Sequence, residues 1–247
     1  MYKDYELEIL YKDDYLVAIN KPSGLLVHKS MIDKDEIYFA DKMLRDQIGQ
    51  WVYPIHRLDK PTSGVLLFAL DSESAKLMSE QFIEKKIQKT YMAVVRGYID
   101  EKGFIDYALS VKLDKIANKK SAPQKEAQEA QTEYERLATV ELAHAVGRYD
   151  KTRYSLVKLS PHTGRKHQLR RHMKHLSHHI LGDTKYGRGE HNKMIRKEYN
   201  CHRLLLHATN LEFEHPYTNK RIKLNAKTDE SFKSIFQSFG WENYLEE

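Results

Sequence analysis

The chain has 247 residues, 40% of them hydrophobic and 11% aromatic, which predicts a folded protein with a substantial core and excludes a disordered one. Its single cysteine, Cys201, excludes an intramolecular disulfide and a zinc site built from several cysteines. The first residues lack a signal-peptide pattern and no apolar run is long enough to span a bilayer. We therefore expect a soluble, cytoplasmic protein without membrane association.

The net charge of +6 is unevenly distributed along the chain. Residues 1–50 contain 7 Lys and Arg against 10 Asp and Glu, whereas residues 151–200 contain 13 against 3, with 7 His besides. A basic excess confined to one fifth of the chain is typical of a site for a polyanion such as nucleic acid. The same charges also suit a solvated helix face.

In the first quarter of the chain, short apolar runs separated by turn residues predict strands over residues 9–11, 16–19 and 25–27. Apolar residues then recur every three or four positions over residues 36–48, which predicts a helix that ends before Gly49.

The central part predicts a strand over residues 65–70, a helix over 72–86 and a strand over 91–95. Ser72 or Ser74 is the expected N-cap of this helix. Residues 112–131 are polar and nearly free of large apolar side chains, so we expect a long exposed loop there.

The last part predicts strands over residues 132–142 and 154–159, then a helix over 165–175 on which Arg170 and Arg171 project in different directions. A buried strand over 204–207 is expected next. A hairpin of residues 211–214 and 221–224 follows, and then a C-terminal helix capped by Asp229 with a core face of Phe232, Ile235, Phe236 and Phe239.

The sequence HRLDKPTSG over residues 56–64 packs charged and turn-forming residues immediately before an apolar strand. Pro61 and the residues after it disfavour regular structure, so Asp59 is expected on a loop at the start of a core strand. Functional groups often occupy such loops. From these residues alone, Asp59 could equally cap the turn or pair with Arg57 or Lys60.

Four segments combine apolar strands with clusters of basic, acidic and turn-forming residues. They are LVAINKPSGLLVH (16–28), HRLDKPTSGVLLFA (56–69), KTYMAVVRG (89–97), and TGRKHQLRRHM with ILGDTKYG (163–173 and 180–187). Together and in this order they resemble the RluA family of pseudouridine synthases. Because they cover most of the chain, the resemblance is much more specific than a single motif.

The resemblance implies a catalytic role for three residues: Asp59 as the essential carboxylate, Tyr91 as the aromatic residue that stacks on the base, and Arg170 as the partner of the carboxylate. An arginine beside an aspartate favours its ionised form. The resemblance also implies a set of RNA contacts, comprising His56, Arg57, Arg165, Lys166, Arg171 and Lys174. Arg165 is the second candidate for the partner of Asp59.

The family also implies an α+β fold: a single catalytic domain over residues 1–247, built on a mixed, largely antiparallel sheet without an N-terminal accessory RNA-binding domain. The implied reaction converts uridine to pseudouridine and requires no cofactor. Within the family the similarity is greatest to members that modify tRNA, which implies the uridine at position 65, in the T-stem. No protein partner is indicated.

Three other hypotheses stay open at this stage. The same chemistry could act on ribosomal or another RNA, or the chain could be a catalytically silent RNA-binding module. His175 and His179 have the i, i+4 spacing of a metal site on a helix, and a metal-dependent nuclease would use it. There is no HExxH motif and acidic residues are scarce nearby, so a contribution of these histidines to phosphate binding is favoured.

Overall fold

The computed structural model describes residues 5–29, 36–110 and 126–245. The strands in these ranges are β1 (Glu8–Lys12), β2 (Leu16–Lys21), β3 (Tyr53–Pro54), β4 (Ser63–Ala69), β5 (Gln88–Arg96), β6 (Lys102–Asp106), β7 (Gln131–Leu142), β8 (Thr152–Pro161), β9 (Leu206–Glu214) and β10 (Arg221–Asn225). The helices are α1 (Ala40–Ile48), α2 (Ser72–Ile83), α3 (Gln168–His175), α4 (Gly189–Tyr199) and α5 (Glu230–Phe239), followed by a 3-10 turn over Glu242–Tyr244. Within the described ranges, no helix has the length and apolar character needed to cross a membrane.

All of these strands belong to one sheet with the order β1-β2-β4-β9-β5-β8-β7-β6, while β3 pairs with β4 and β10 with β9. The β4–β9 pairing is parallel, and the other strand pairs in the described ranges are antiparallel. The predicted α+β fold on a mixed, largely antiparallel sheet is therefore confirmed.

Helices cover both faces of the sheet because successive strand residues point to opposite sides. Helices α1 and α3 pack on one face, where Tyr91 contacts the clusters formed by both. Helices α2, α4 and α5 pack on the other face. On α5, all four predicted core residues are buried and the Asp229 side chain accepts from the Phe232 N–H, as predicted.

The seam between β4 and β9 is short, because only Ser63 and Gly64 pair there with His207 and Ala208. Gly64 has φ of 112°, and a Cβ at this position would lie 2.1 Å from the Ala208 carbonyl oxygen. Glycine is therefore required for this approach of the two backbones. The seam places the loop that carries Asp59 beside β5.

The segment 25–27 is not a strand, contrary to the prediction. Leu25 and Val27 are buried, but the carbonyls of Leu26 and Val27 accept from the Ala40 and Asp41 N–H groups, so the segment caps the start of α1. Helix α1 begins at Ala40 and not at residue 36, and it ends as predicted before Gly49, whose φ is 68°.

Other boundaries differ from the predictions for local reasons. Asp71, and not Ser72 or Ser74, is the N-cap of α2, because its carboxylate accepts from the Ser74 N–H. The predicted strands over 204–207 and 211–214 form one continuous strand, β9, which pairs with β10 in the predicted hairpin.

Three elements, β3, β6 and α4, were not predicted from the sequence. The expected loop over residues 112–131 lies mostly outside the described residues, and of its last six residues only Gln131 belongs to a strand.

Candidate active site

A cavity of about 360 Å³ lies over the β4–β9 seam, on the face that carries α1 and α3. This volume is within the usual range for small-molecule sites. Its walls come from the loop around Asp59, the start of β5, the loop after β8 and the first turn of α3.

The loop that carries Asp59 is held from behind by Lys21, which is fully buried. The Lys21 Nζ donates to the carbonyls of Pro22, Leu25 and Lys60 at 2.9, 2.8 and 3.3 Å. Burial, followed by the charge of Arg203, lowers the pKa of Lys21 to about 7. Lys21 thereby fixes the backbone immediately after Asp59.

Asp59 and Arg170 form an ion pair in this cavity. Arg170 Nη1 lies 3.0 Å from Asp59 Oδ2, while Arg170 Nε and Nη2 donate to the two oxygens of Asp183 at 2.7 and 2.8 Å. Arg170 and Asp183 are buried, whereas the Asp59 side chain is 23% exposed. Lys60 pairs with Glu36 instead of Asp59. Asp59 is therefore the member of the network that a ligand can reach.

The Arg170–Asp183 pair is charged at neutral pH. Burial acts to lower the pKa of Arg170, but hydrogen bonds and charge from Asp183 and Asp59 raise it above its ordinary value. Burial acts to raise the pKa of Asp183, but Arg170 and the Tyr186 and Lys185 N–H groups lower it below its ordinary value. Asp59 thus always faces a cation.

His167 lies on the opposite side of the Asp59 carboxylate. Its backbone has φ of 56°, a left-handed conformation that few non-glycine residues adopt. Its Nε2 is 3.8 Å from Asp59 Oδ1 and its Nδ1 is 2.9 Å from the Tyr186 hydroxyl. Burial lowers the pKa of His167 despite the charge of Asp59, so the ring is neutral at neutral pH.

Tyr91 presents an aromatic ring to the same cavity from the start of β5. Its ring packs against both apolar clusters of this face. Burial, and secondarily the charge of Asp59, raise the pKa of Tyr91 above its ordinary value, so the phenol stays protonated. The ring offers a surface on which a flat base can stack.

Arg57 and Arg165 form the rim of the cavity, and both are exposed. Arg165 Nε donates to the Glu129 carbonyl at 2.9 Å, so the Arg165 side chain is directed along the rim. Of the two candidate partners of Asp59, it is therefore Arg170 that contacts the carboxylate.

The three remaining predicted basic residues lie outside the lining of this cavity. Lys166 and Lys174 are exposed, and Arg171 is half-buried, with Nη2 3.4 Å from Ser110 Oγ. Arg170 and Arg171 point in different directions, as predicted, since only Arg170 reaches Asp59.

His56 lines the cavity, but its ring is engaged by the protein itself. Its Nε2 accepts from the Leu67 N–H at 3.0 Å, and its ring stacks on Phe82. Burial, followed by the charge of Lys89, lowers the pKa of His56 to about 3, so the ring is neutral. In this position the imidazole anchors the loop to β4.

Five residues of the site were not identified from the sequence: Lys21, Lys89, His167, Asp183 and Tyr186. Lys89 lines the cavity, donates to the Thr163 carbonyl at 3.3 Å, and has its pKa lowered to about 8 by burial. All five lie within the four segments that carry the family resemblance. Membership of those segments was the available signal, since no spacing rule distinguishes them from their neighbours.

His175 and His179 do not form a pair. Helix α3 ends at His175, whose ring stacks on Tyr107, whereas His179 Nδ1 contacts the Tyr186 carbonyl at 2.6 Å. Nowhere in the described ranges do three His, Cys, Asp or Glu side chains lie together as metal ligands would.

The sequence model of the family described as RNA pseudouridylate synthase matches residues 15–175, which include Asp59, Tyr91 and Arg170. The chain belongs to the RNA pseudouridylate synthase family. It is therefore an isomerase that converts uridine to pseudouridine in RNA.

Relatives similar over nearly their full length include tRNA pseudouridine synthase C of Vibrio parahaemolyticus, 55% identical with 97% of this chain and 98% of the relative covered. The same enzyme of Haemophilus ducreyi is 60% identical, with 96% and 97% covered.

Solved structures of this family share the fold. Human RNA pseudouridylate synthase domain containing 1 has a TM-score of 0.68 at 26% identity, covering 90% of this chain and 84% of that chain. Human RNA pseudouridylate synthase domain containing 4 has a TM-score of 0.68 at 27% identity, with 94% and 93% covered.

Proposed function

We propose that this pseudouridine synthase acts on tRNA, at the uridine of position 65 in the T-stem, with Asp59 as the catalytic carboxylate. The names of the two bacterial relatives support tRNA as the substrate. The observation that carries the catalytic assignment is the accessible Asp59 carboxylate, held by a buried guanidinium in a cavity that also presents Tyr91.

The isomerisation breaks the bond between uracil N1 and ribose C1′ and forms a bond between uracil C5 and C1′. C5 loses its proton and N1 gains one, so substrate and product have the same composition and neither oxidant nor reductant is consumed. The reaction needs a carboxylate at the sugar or base and a pocket that retains the detached uracil. Asp59 supplies the carboxylate, and the cavity around Tyr91 retains the base.

Arg170 orients the Asp59 carboxylate, because Asp183 fixes the guanidinium through two hydrogen bonds. Tyr91 stacks on the uracil as a protonated phenol. His56 acts in substrate binding through the position of its loop, since its Nε2 is bonded to the backbone of β4.

A uridine within a stem must leave the base stack before it can reach Asp59, which costs a few kcal/mol. Arg57, exposed at the rim, is placed to fill the gap left by the extruded base. A second group of residues then meets phosphates on either side, comprising Arg165, Lys166, Arg171 and Lys174.

In this assignment residues 1–247 form one catalytic domain, which is supported by the single sheet that joins all strands of the described ranges. A cytoplasmic location belongs to the same proposal because tRNA is a cytoplasmic substrate.

The test uses tRNA transcripts labelled with tritium at uridine C5, because formation of the new carbon–carbon bond releases this tritium to water. We expect release by the wild-type protein and none by Asp59→Asn, whose tRNA affinity should stay within a few-fold of wild type. Sequencing of the product should place the modification at position 65.

Each other outcome has a defined meaning. Release from ribosomal RNA fragments but not from tRNA would contradict the substrate assignment. No release from either RNA, with binding retained, would indicate a silent RNA-binding module. A large loss of affinity in Asp59→Asn would show that Asp59 has a structural role, and release by this variant would contradict its catalytic role.

A further inference from the structure

A second cavity, of about 510 Å³, lies at the far end of β5 from Tyr91. Arg96 is the last residue of β5 and lies five positions after Tyr91. At about 3.3 Å per strand residue, the two positions are about 17 Å apart. Helix α3 follows the same direction, since its first turn lines the first cavity and the residues after it, Ser177 and His178, line the second.

The guanidinium of Arg96 is placed to bind an anion in this cavity. Arg96 Nε donates to His191 Nε2 at 3.1 Å, and its two Nη groups make no hydrogen bond or ion pair within the described ranges. Burial, followed by the charge of Arg96, lowers the pKa of His191 to about 4, so this partner is neutral and leaves the charge of Arg96 uncompensated. Free Nη groups of a partly buried arginine suit a phosphate group.

A buried hydroxyl in the same wall supports this assignment. Thr152 lines the cavity and is 3% exposed. Its buried Oγ1 nevertheless forms no hydrogen bond of ordinary length with any residue in the described ranges. The Tyr154 hydroxyl, which contacts His191 Nδ1 at 2.8 Å, is close enough to interact with Thr152 but not at the length of an ordinary hydrogen bond. A buried polar group without a partner is costly, and a ligand oxygen or a water held by the ligand would satisfy it.

The rim carries both charged and aromatic groups. Lys151 and Arg153 share one carboxylate, that of Glu141, at 2.6 and 2.9 Å, and Asp150 adds a further negative charge. Arg96 therefore leaves the cavity with a net positive charge. Tyr149 is 52% exposed at the rim, where the Arg148 guanidinium lies over its ring, 5.1 Å from the centroid, and donates to its hydroxyl.

We propose that this second cavity binds a phosphate-bearing nucleotide of the RNA substrate, several nucleotides away from the uridine that reacts at Asp59. The cavity is too far from Asp59 for one nucleotide to occupy both sites. Lys166, in the loop before α3, and Lys174, on α3, are both exposed. The inference rests on the proposed RNA substrate but not on the catalytic role of Asp59.

The first experiment measures tRNA affinity over a range of salt concentrations for wild type, Arg96→Gln and the control Arg221→Gln. Arg221 is exposed on β10 and pairs with Glu212, so the control removes the same charge from another surface. We expect Arg96→Gln to weaken binding about tenfold and to reduce the slope of log affinity against log salt by about one, because one phosphate contact is lost. It should raise KM for tRNA more than it lowers kcat.

Equal affinities and slopes for Arg96→Gln and Arg221→Gln would overturn the proposal. Titration with uridine 5′-monophosphate is a second test. If Arg96→Gln loses binding of this nucleotide but keeps the tRNA affinity of wild type, the cavity is a site for a free nucleotide, and the proposal is likewise overturned. If wild type binds tRNA without releasing tritium, the proposed function fails, and the two slopes still decide the role of the cavity.

A second measurement leaves Arg96 unchanged in case Arg96→Gln does not fold. Cys201 is buried, so an exposed cysteine introduced by Ser177→Cys can be labelled selectively with an iron–EDTA group that cleaves nearby RNA. We expect cleavage of bound tRNA at backbone positions away from the modified uridine. The control is Ser72→Cys at the start of α2, and the same cleavage pattern from both variants would overturn the proposal.

Discussion

Asp183 does not line the first cavity, yet it determines how Arg170 is presented to Asp59. Its two oxygens accept from Nε and Nη2 of Arg170, and its Oδ1 also accepts from the N–H groups of Lys185 and Tyr186 at 2.9 Å. These bonds leave Arg170 Nη1 as the donor that faces Asp59. The orientation of the guanidinium is therefore set by a carboxylate that does not line the cavity.

At the residue scale we predict that Asp183→Asn lowers the free energy of unfolding by about 3 kcal/mol, because it leaves the buried Arg170 with incomplete compensation. Tritium release should fall at least tenfold, since the amide NH₂ group repels one of the Arg170 donors. Chemical denaturation and the tritium assay measure the two effects.

The matched control is Asp46→Asn, which breaks an exposed ion pair with Arg45. It should cost less than about 1 kcal/mol, as is usual for surface pairs. A similarly small loss for Asp183→Asn would show that the buried pair does not support the site.

At the scale of elements, a buried network joins β4, β9 and α5 behind the Asp59 loop. Arg203 Nη2 donates to Ser63 Oγ, the Ser63 hydroxyl donates to His207 Nδ1, and His207 Nε2 donates to the Ala226 carbonyl. Arg203 also pairs with Asp229, the N-cap of α5. The network thus secures the short β4–β9 seam on which the cavity is built.

This network predicts a pH dependence of stability. Burial lowers the pKa of His207 to about 4, whereas a histidine in the unfolded chain titrates near about 6.5. Between these values the unfolded state binds a proton that the folded state does not, so stability falls as the pH falls from about 6.5 towards 4. The contribution of this residue approaches about 1.4 kcal/mol per pH unit.

We expect His207→Gln to be less stable than wild type at neutral pH, because it disrupts the buried network. Its free energy of unfolding should fall less steeply with acidification, by about 1 kcal/mol per pH unit. The control His202→Gln changes an exposed histidine and should keep the slope of wild type. Denaturation curves measured between pH 4 and 7 test this, and parallel profiles for wild type and His207→Gln would contradict it.

At the scale of the whole molecule, the net charge of +6 conceals a strongly basic region, residues 151–200. In the structure this region supplies β8, α3 and α4, and its residues help to line both cavities. Only part of its charge is used inside the first cavity, where Arg170 is paired. The rest lies on the surface, where it can meet phosphates.

We predict that tRNA affinity falls linearly with salt on logarithmic axes, with a slope of about −4 for the five proposed phosphate contacts. Lys174→Gln, on the exposed side of α3, should reduce this slope by about one. Lys102→Gln, at the edge strand β6, should not change it. Filter binding at several salt concentrations measures the slope, and a flat response would contradict the basic surface as an RNA site.

Much of the fold could be predicted from the sequence because the relevant signals are local. Alternating and helical apolar patterns identified β4, β5, β8, α2 and α5, and the N-cap Asp229 was recognised from its position alone. The catalytic assignments of Asp59, Tyr91 and Arg170 came from the family resemblance and stay predictions until the tritium assay is done. Their residues do meet in one cavity.

The tertiary structure decided what depends on contacts between distant residues. Asp59 and Arg170 are 111 positions apart, so no periodic pattern distinguishes Arg170 from Arg165 as the partner of the carboxylate. The buried cation Lys21, the left-handed His167 and the unpaired Nη groups of Arg96 likewise depend on which strands become neighbours. Local pattern determines helices and strands, whereas burial and the pairing of charges are properties of the assembled chain.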